Sequence, residues 1–151
     1  SLMHRKINLS TEEQLDFISN KIKNNDLVYV EDPFYEDDFE SFKELNKELC
    51  LICGDDLIVS NPARLRNMEK NISAVIVKPN QIGSLLKTKE LIDIAKDGKV
   101  TPVMSHRSQE TTDNSIAHLA VAWGCPIIKT GIVGGERTSK INELLRINEN
   151  L

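Results

Sequence analysis

The chain has 151 residues, 40% of them hydrophobic and 28% charged, with a formal net charge of -4 at pH 7. That composition suits one globular domain with a core and excludes a disordered segment. No apolar run approaches the roughly 18 residues of a membrane helix, no basic stretch leads into an apolar one as in a secretory signal, and the acidic balance argues against binding a nucleic-acid backbone.

In chain order, Ser1-Leu2 ahead of Met3 reads as a cloning remnant, leaving residues 3–151 as one domain. Ser10-Thr-Glu-Glu13 is a capping box opening a helix whose apolar stripe is Leu15, Ile18 and Ile22. Leu27–Val30 predicts a first strand, and Phe39, Phe42, Leu45 and Leu49 a second helical stripe. Leu51–Cys53 is the next strand. Cys50 and Cys53 have C-x-x-C spacing, but strand residues three apart point to opposite faces, so the pair reads as core rather than as a zinc or disulfide motif. With Cys125 the cysteines number three, an odd count that fits a reduced, cytoplasmic protein.

Asn61-Pro62 opens a helix carrying Leu65 and Met68. Ala74–Val77 is a third strand, followed by a stripe of Leu91, Ile94 and Ala95. Val100–Met104 is a fourth strand, and Ile116, Leu119, Ala120 and Trp123 form the helix after it. Pro126–Ile128 is the fifth strand, and Ile141, Leu144 and Leu145 mark the last helix.

The strands recur about every 25 residues, the pace of β-α units with short loops. A parallel sheet with right-handed helical crossovers follows, either open and doubly wound or part of a barrel. A whole eight-unit barrel typically needs about 250 residues, so five units cannot be a complete one. Short, continuously apolar strands predict a sheet covered on both faces.

Each apolar run ends in polar residues: Glu31-Asp32-Pro33, Gly54-Asp55-Asp56, Lys78-Pro79-Asn80-Gln81, Ser105-His106-Arg107-Ser108 and Lys129-Thr130-Gly131. In α/β barrels, catalytic groups stand where strands end. Glu31 and Asp55 offer hard oxygen ligands suited to Mg²⁺. Lys78 beside them could act as a base. Arg107 and Lys129 could hold a phosphate or carboxylate, Ser108 could add a hydroxyl, and His106 a hydrogen bond or proton. Together they describe proton abstraction next to a carboxylate.

GDDLIVSNPARL, VKPNQIGSL, SHRSQET and IKTG, in that order, closely resemble the C-terminal part of enolase (phosphopyruvate hydratase). VEDPFYEDDFESF resembles that family's acidic strand-end motif, and INELLRINENL its tail, so the resemblance covers essentially all of Leu9–Leu151. It implies the C-terminal five β-α units of a TIM-type (β/α) barrel that interconverts 2-phosphoglycerate and phosphoenolpyruvate with Mg²⁺, through an enediolate-type intermediate stabilised by metal. By motif position, Glu31 and Asp55 match metal carboxylates and Lys78 the lysine that removes the C2 proton. Lys129 matches the substrate-carboxylate lysine, Arg107 with Ser108 the phosphate pair, and His106 the histidine near the leaving hydroxyl.

The family's third metal carboxylate and its general-acid glutamate are expected upstream, so the chain alone should show little turnover. Five strands also leave two bare edges, which predicts self-association or pairing with the missing N-terminal portion. Gln109 stands at a usual glycine position, which predicts strain at positive φ. Thr112, His118, the stretch Ile132 to Gly135, and Ile141 are further departures. His118 reads as surface or packing. Gly134-Gly135-Glu136-Arg137 reads as a plain turn, with an anion cradle as the other option. Two further readings stay open: a stand-alone, non-catalytic half-barrel for assembly or small-anion binding, and another metal-dependent superfamily member with a different acid substrate.

Overall fold

The computed structural model describes residues 9–45 and 50–150. Ser1-Leu2 and Leu49 lie outside the described residues. α1 (Thr11–Asn25) opens on the capping box: Glu13 N donates to Ser10 Oγ (3.3 Å) and Ser10 N donates to Glu13 Oε2 (2.7 Å). These bonds satisfy two of the donors that a helix start leaves free. The further helices are α2 (Phe39–Glu44), α3 (Pro62–Met68), α4 (Pro79–Ile82), α5 (Leu85–Asp97), α6 (Ser115–Ala122) and α7 (Gly135–Asn148). Asn61 caps α3 by accepting from Ala63 N (2.9 Å).

The strands are β1 (Tyr29–Glu31), β2 (Leu51–Gly54), β3 (Ala74–Val77), β4 (Thr101–Ser105) and β5 (Ile127–Lys129). They lie side by side in chain order, and every neighbouring pair is parallel. β1, β2, β4 and β5 each run one residue past their apolar run, because the ladder uses backbone groups and is indifferent to the side chain. They thereby take in Glu31, Gly54, Ser105 and Lys129. Pro102 fits inside β4 for a related reason. Thr101 N donates towards β3, to Ser73 O (2.9 Å), so the next residue faces the β5 side. Pairing with β5 begins only at Val103, so the missing N–H lies outside that ladder.

Alternation divides the strand residues between two faces. Ile52, Val75, Val77 and Met104 join Phe42, Leu57, Leu65, Leu91, Ile92 and Ala95 in the main core under the helices. Cys53, Ala74, Ile76 and Val103 form a smaller cluster on the other face, flanked by Tyr29, Leu51 and Ile127. Cys50 sits with the first group and Cys53 with the second, as strand alternation requires.

Cover on both faces fails as an expectation at the edges. β3 is buried throughout, but β1 and β5 are only half-buried, and Val28 is 77% exposed. Among the described residues the helices pack mainly against one face. The other lines an open groove of about 560 Å³ with Leu51, Val103, Ile127 and Ile132, which Ile141 of α7 also reaches beside β5.

That second face is strongly concave. In a flat sheet β1 and β5 would stand roughly 19 Å apart, yet Lys129 Nζ reaches Glu31 Oε1 at 2.5 Å. The sheet is an arc of a barrel, and this ion pair spans its lumen.

Three local expectations are corrected. Leu45 ends α2 in an extended conformation instead of continuing the helix, although it is buried. Leu145 is 60% exposed, because α7 turns Lys140 and Glu143 inward. Gln109 does not take positive φ; the strained residues near the strand ends are Asp32, Val59 and Ser60.

Candidate active site

Alternation also carries the strand-end groups onto the concave face. Glu31 lies two residues after Tyr29, Asp55 two after Cys53, Lys78 two after Ile76, and Lys129 two after Ile127. Each therefore points the same way as an apolar residue of the concave cluster.

Lys78 Nζ donates to both oxygens of Asp55 at 2.6 Å, and these side chains are only 14% and 11% exposed. Lys129 pairs with Glu31, whose second oxygen accepts from the Tyr29 hydroxyl (3.1 Å). Burial, reinforced by Cys53 and Glu31, holds the Tyr29 phenol protonated well above its ordinary range, which suits it to donate.

Backbone strain supports this arrangement. Val59 (φ 54°) and Ser60 (φ 50°) are left-handed, and Val59 is β-branched, an unfavourable combination. The kink buries the Ser60 hydroxyl, which accepts from Lys78 N (3.2 Å) and donates to Ile76 O (3.3 Å). The end of β3 is thus fastened behind the lysine.

Asp32, at φ 41°, plays a part the sequence did not single out. Its two oxygens accept from Asp55 N and Asp56 N, both at 2.8 Å, tying the loop after β1 to the loop after β2. Burial raises its pKa, and the two hydrogen bonds oppose that rise. Aspartate's tolerance of positive φ was the available signal.

The acidic groups bear on metal binding. Carboxylate oxygens of Asp32, Asp55 and Asp56 lie within 4.8 Å of one another. Asp32 spends both oxygens on backbone donors, whereas Asp55 and Glu31 spend theirs on the side chains of Lys78, Lys129 and Tyr29, which can swing away. Asp55 and Asp56, with Glu31 from the adjoining strand, remain as the hard oxygens that Mg²⁺ takes, so the donor chemistry fits that ion.

The loop after β4 brings the remaining candidates. His106 N extends the ladder to Lys129 O (3.1 Å), and the Arg107 and Ser108 side chains line an open cleft of about 400 Å³ with Asn80 and Gln109. Arg137, from the first turn of α7, contacts His106 Nδ1 and donates to Arg107 O and Ser108 O, both at 2.8 Å. The sequence marked Arg137 only as part of a turn or anion cradle; its role here did not follow, because the fork reaches main-chain carbonyls, which leave no side-chain pattern. His118 stands apart, its Nε2 2.8 Å from Glu143 Oε1 on the helix side.

A family model described as "Enolase, C-terminal TIM barrel domain" matches residues 3–151. The enolase of Methanosphaera stadtmanae is 53% identical over 147 residues, which is 94% of this chain and 36% of that protein. The enolase of Methanothermobacter thermautotrophicus is 51% identical over 146 residues, 93% of this chain and 35% of the relative. That of Methanocorpusculum labreanum is 49% identical over 153 residues, 97% of this chain and 38% of the relative. The chain spans little more than a third of the length of these proteins.

Proposed function

The chain belongs to the enolase family, and from that premise we propose that it carries one side of a phosphopyruvate hydratase site. The reaction is the interconversion of 2-phosphoglycerate and phosphoenolpyruvate, in the cytoplasm and in glycolysis. Glu31 and Asp55 would hold Mg²⁺. When bound, the ion supplies positive charge against the substrate carboxylate as C2 gains electron density.

The chain's own residues have distinct tasks in this reading. Lys78 Nζ takes the proton from C2. Lys129 holds the substrate carboxylate, and Arg107 with the Ser108 hydroxyl holds the phosphate. His106 lies by the C3 hydroxyl, which leaves as water once another group protonates it. In this reading that acid and the third metal carboxylate are supplied from outside these 151 residues. We therefore expect this chain alone to turn over little substrate.

The observation that carries the reading is the double pairing on the concave face, Lys78 on Asp55 and Lys129 on Glu31. On that face two carboxylates are each balanced by one lysine. A divalent cation bound to the carboxylates would release both lysines towards an anionic substrate. The open edges at β1 and β5 suit pairing with a further barrel portion or a second copy.

Calorimetry with Mg²⁺ and phosphoenolpyruvate tests this. Phosphoenolpyruvate should bind more tightly with Mg²⁺ present, and Arg107→Ala or Lys129→Ala should weaken it about tenfold or more. Binding untouched by both substitutions would sink the reading. Heat from the anion that is indifferent to Mg²⁺ would favour the non-catalytic, anion-binding alternative.

A further inference from the structure

The loop bearing His106, Arg107 and Ser108 is shaped by α7. Gly134 (φ 98°) turns the chain sharply into that helix, and Arg137 leaves its first turn facing the loop. Its stem passes over Gly131, whose missing Cβ would lie 3.7 Å from the arginine Cγ and Cδ. The guanidinium then meets three acceptors in succession: His106 Nδ1, Arg107 O and Ser108 O. Its Nε lies 3.7 Å from Glu136 Oε1, and the side chain is only 17% exposed. Both terminal nitrogens of the guanidinium are thus turned to the loop.

One turn on, Lys140 is 1% exposed and donates to Thr111 O (2.5 Å) and Glu136 O (2.7 Å). It also lies 3.8 Å from Glu110 Oε1. Glu110 in turn accepts from Arg107 N (3.3 Å) and Thr111 N (3.0 Å). The loop is therefore held at both ends by cations from one helix.

We propose that Arg137 is a positioning residue: it fixes the His106–Ser108 loop so that Arg107 and Ser108 meet an anion and His106 turns Nε2 to the site. A guanidinium only donates, so His106 Nδ1 must accept, and the ring proton sits on Nε2. The same fork orders two carbonyls whose residues carry the anion-binding side chains. Outer partners of this kind decide whether a binding group is held in its productive geometry. The proposal rests on the phosphate role given above to Arg107 and Ser108.

The test uses the 151-residue chain labelled with ¹⁵N, and the variant Arg137→Lys. Lysine keeps the charge and the stem but cannot span three acceptors. In the parent chain the His106 ring resonances should show the proton on Nε2, with Nδ1 as acceptor. In R137K the His106, Arg107 and Ser108 amide resonances should shift and broaden while the rest of the spectrum holds, and inorganic phosphate should bind about tenfold more weakly. A ring proton on Nδ1 in the parent, or unchanged loop resonances in R137K, overturns the proposal. Failure of the parent to bind phosphate would sink the functional reading instead, and the loop resonances would still decide the role of Arg137.

Discussion

Ile52 and Cys53 are neighbours in the chain, both fully buried, and they belong to different parts of the molecule. Ile52 packs with Phe42, Leu65 and Leu91 under the helices, in the core that holds the fold together. Cys53 lies on the concave face, in a small cluster directly below Glu31, Asp55, Lys78 and Lys129. One face is apolar and closed; the other becomes charged towards its upper rim and stays open. The strand's two-residue period lets a single backbone serve both without compromise, since a change on one face leaves the other's side chains in place.

The largest break in that comparison should come from a cavity. Ile92→Ala, on the closed side, should cost about 2–5 kcal/mol, whereas Ile127→Ala, on the half-buried concave edge, should cost about 1 kcal/mol or less. Urea unfolding midpoints would read the difference, and equal losses would abolish the distinction between the faces. A second contrast lies within the charged rim. Asp55→Asn leaves the Lys78 ammonium, only 14% exposed, without its carboxylate and should cost about 2–3 kcal/mol. Glu31→Gln releases a lysine that is 39% exposed, and water should limit its loss to about 1 kcal/mol.

The smallest effect is one of pH. Burial pushes the Cys53 thiol up from 9.0 to about 12, so the folded chain binds that proton more tightly than the unfolded chain does. Stability is untouched by this group below pH 9 and falls as pH rises from there towards 12. Tyr29, raised in the same sense, adds to the slope. Cys53→Ala should flatten the decline measured by urea unfolding across that range, and an unchanged slope would show that Cys53 does not carry it.

The positions of the strands along the chain, the α1 and α3 caps and the strand-end residues were legible because each is a local signal: periodicity, capping chemistry or position after an apolar run. The pairing of those ends was not. Lys78 finds Asp55 across adjoining strands, and Lys129 finds Glu31 only because the sheet curves, a property of packing with no short-range mark. The roles of Asp32 and Arg137 escaped notice for a shared reason, since both act on backbone groups that every residue possesses. The α7 stripe misled at Leu145 because two charged residues, Lys140 and Glu143, take the inner positions where apolar ones were expected. Strain was looked for at Gln109, where a glycine was expected, and lies instead at Val59 and Ser60, behind Lys78.

The lumen-spanning pair has a kinetic consequence. Glu31 and Lys129 are 98 residues apart in sequence and sit on the first and last strands, so their contact forms only when the whole arc has assembled. Closing so long a loop carries a large entropic cost that shorter-range contacts must first offset. Substituting either partner should therefore quicken unfolding and leave the folding rate almost unchanged, which makes this pair a clock hand for the last step of folding.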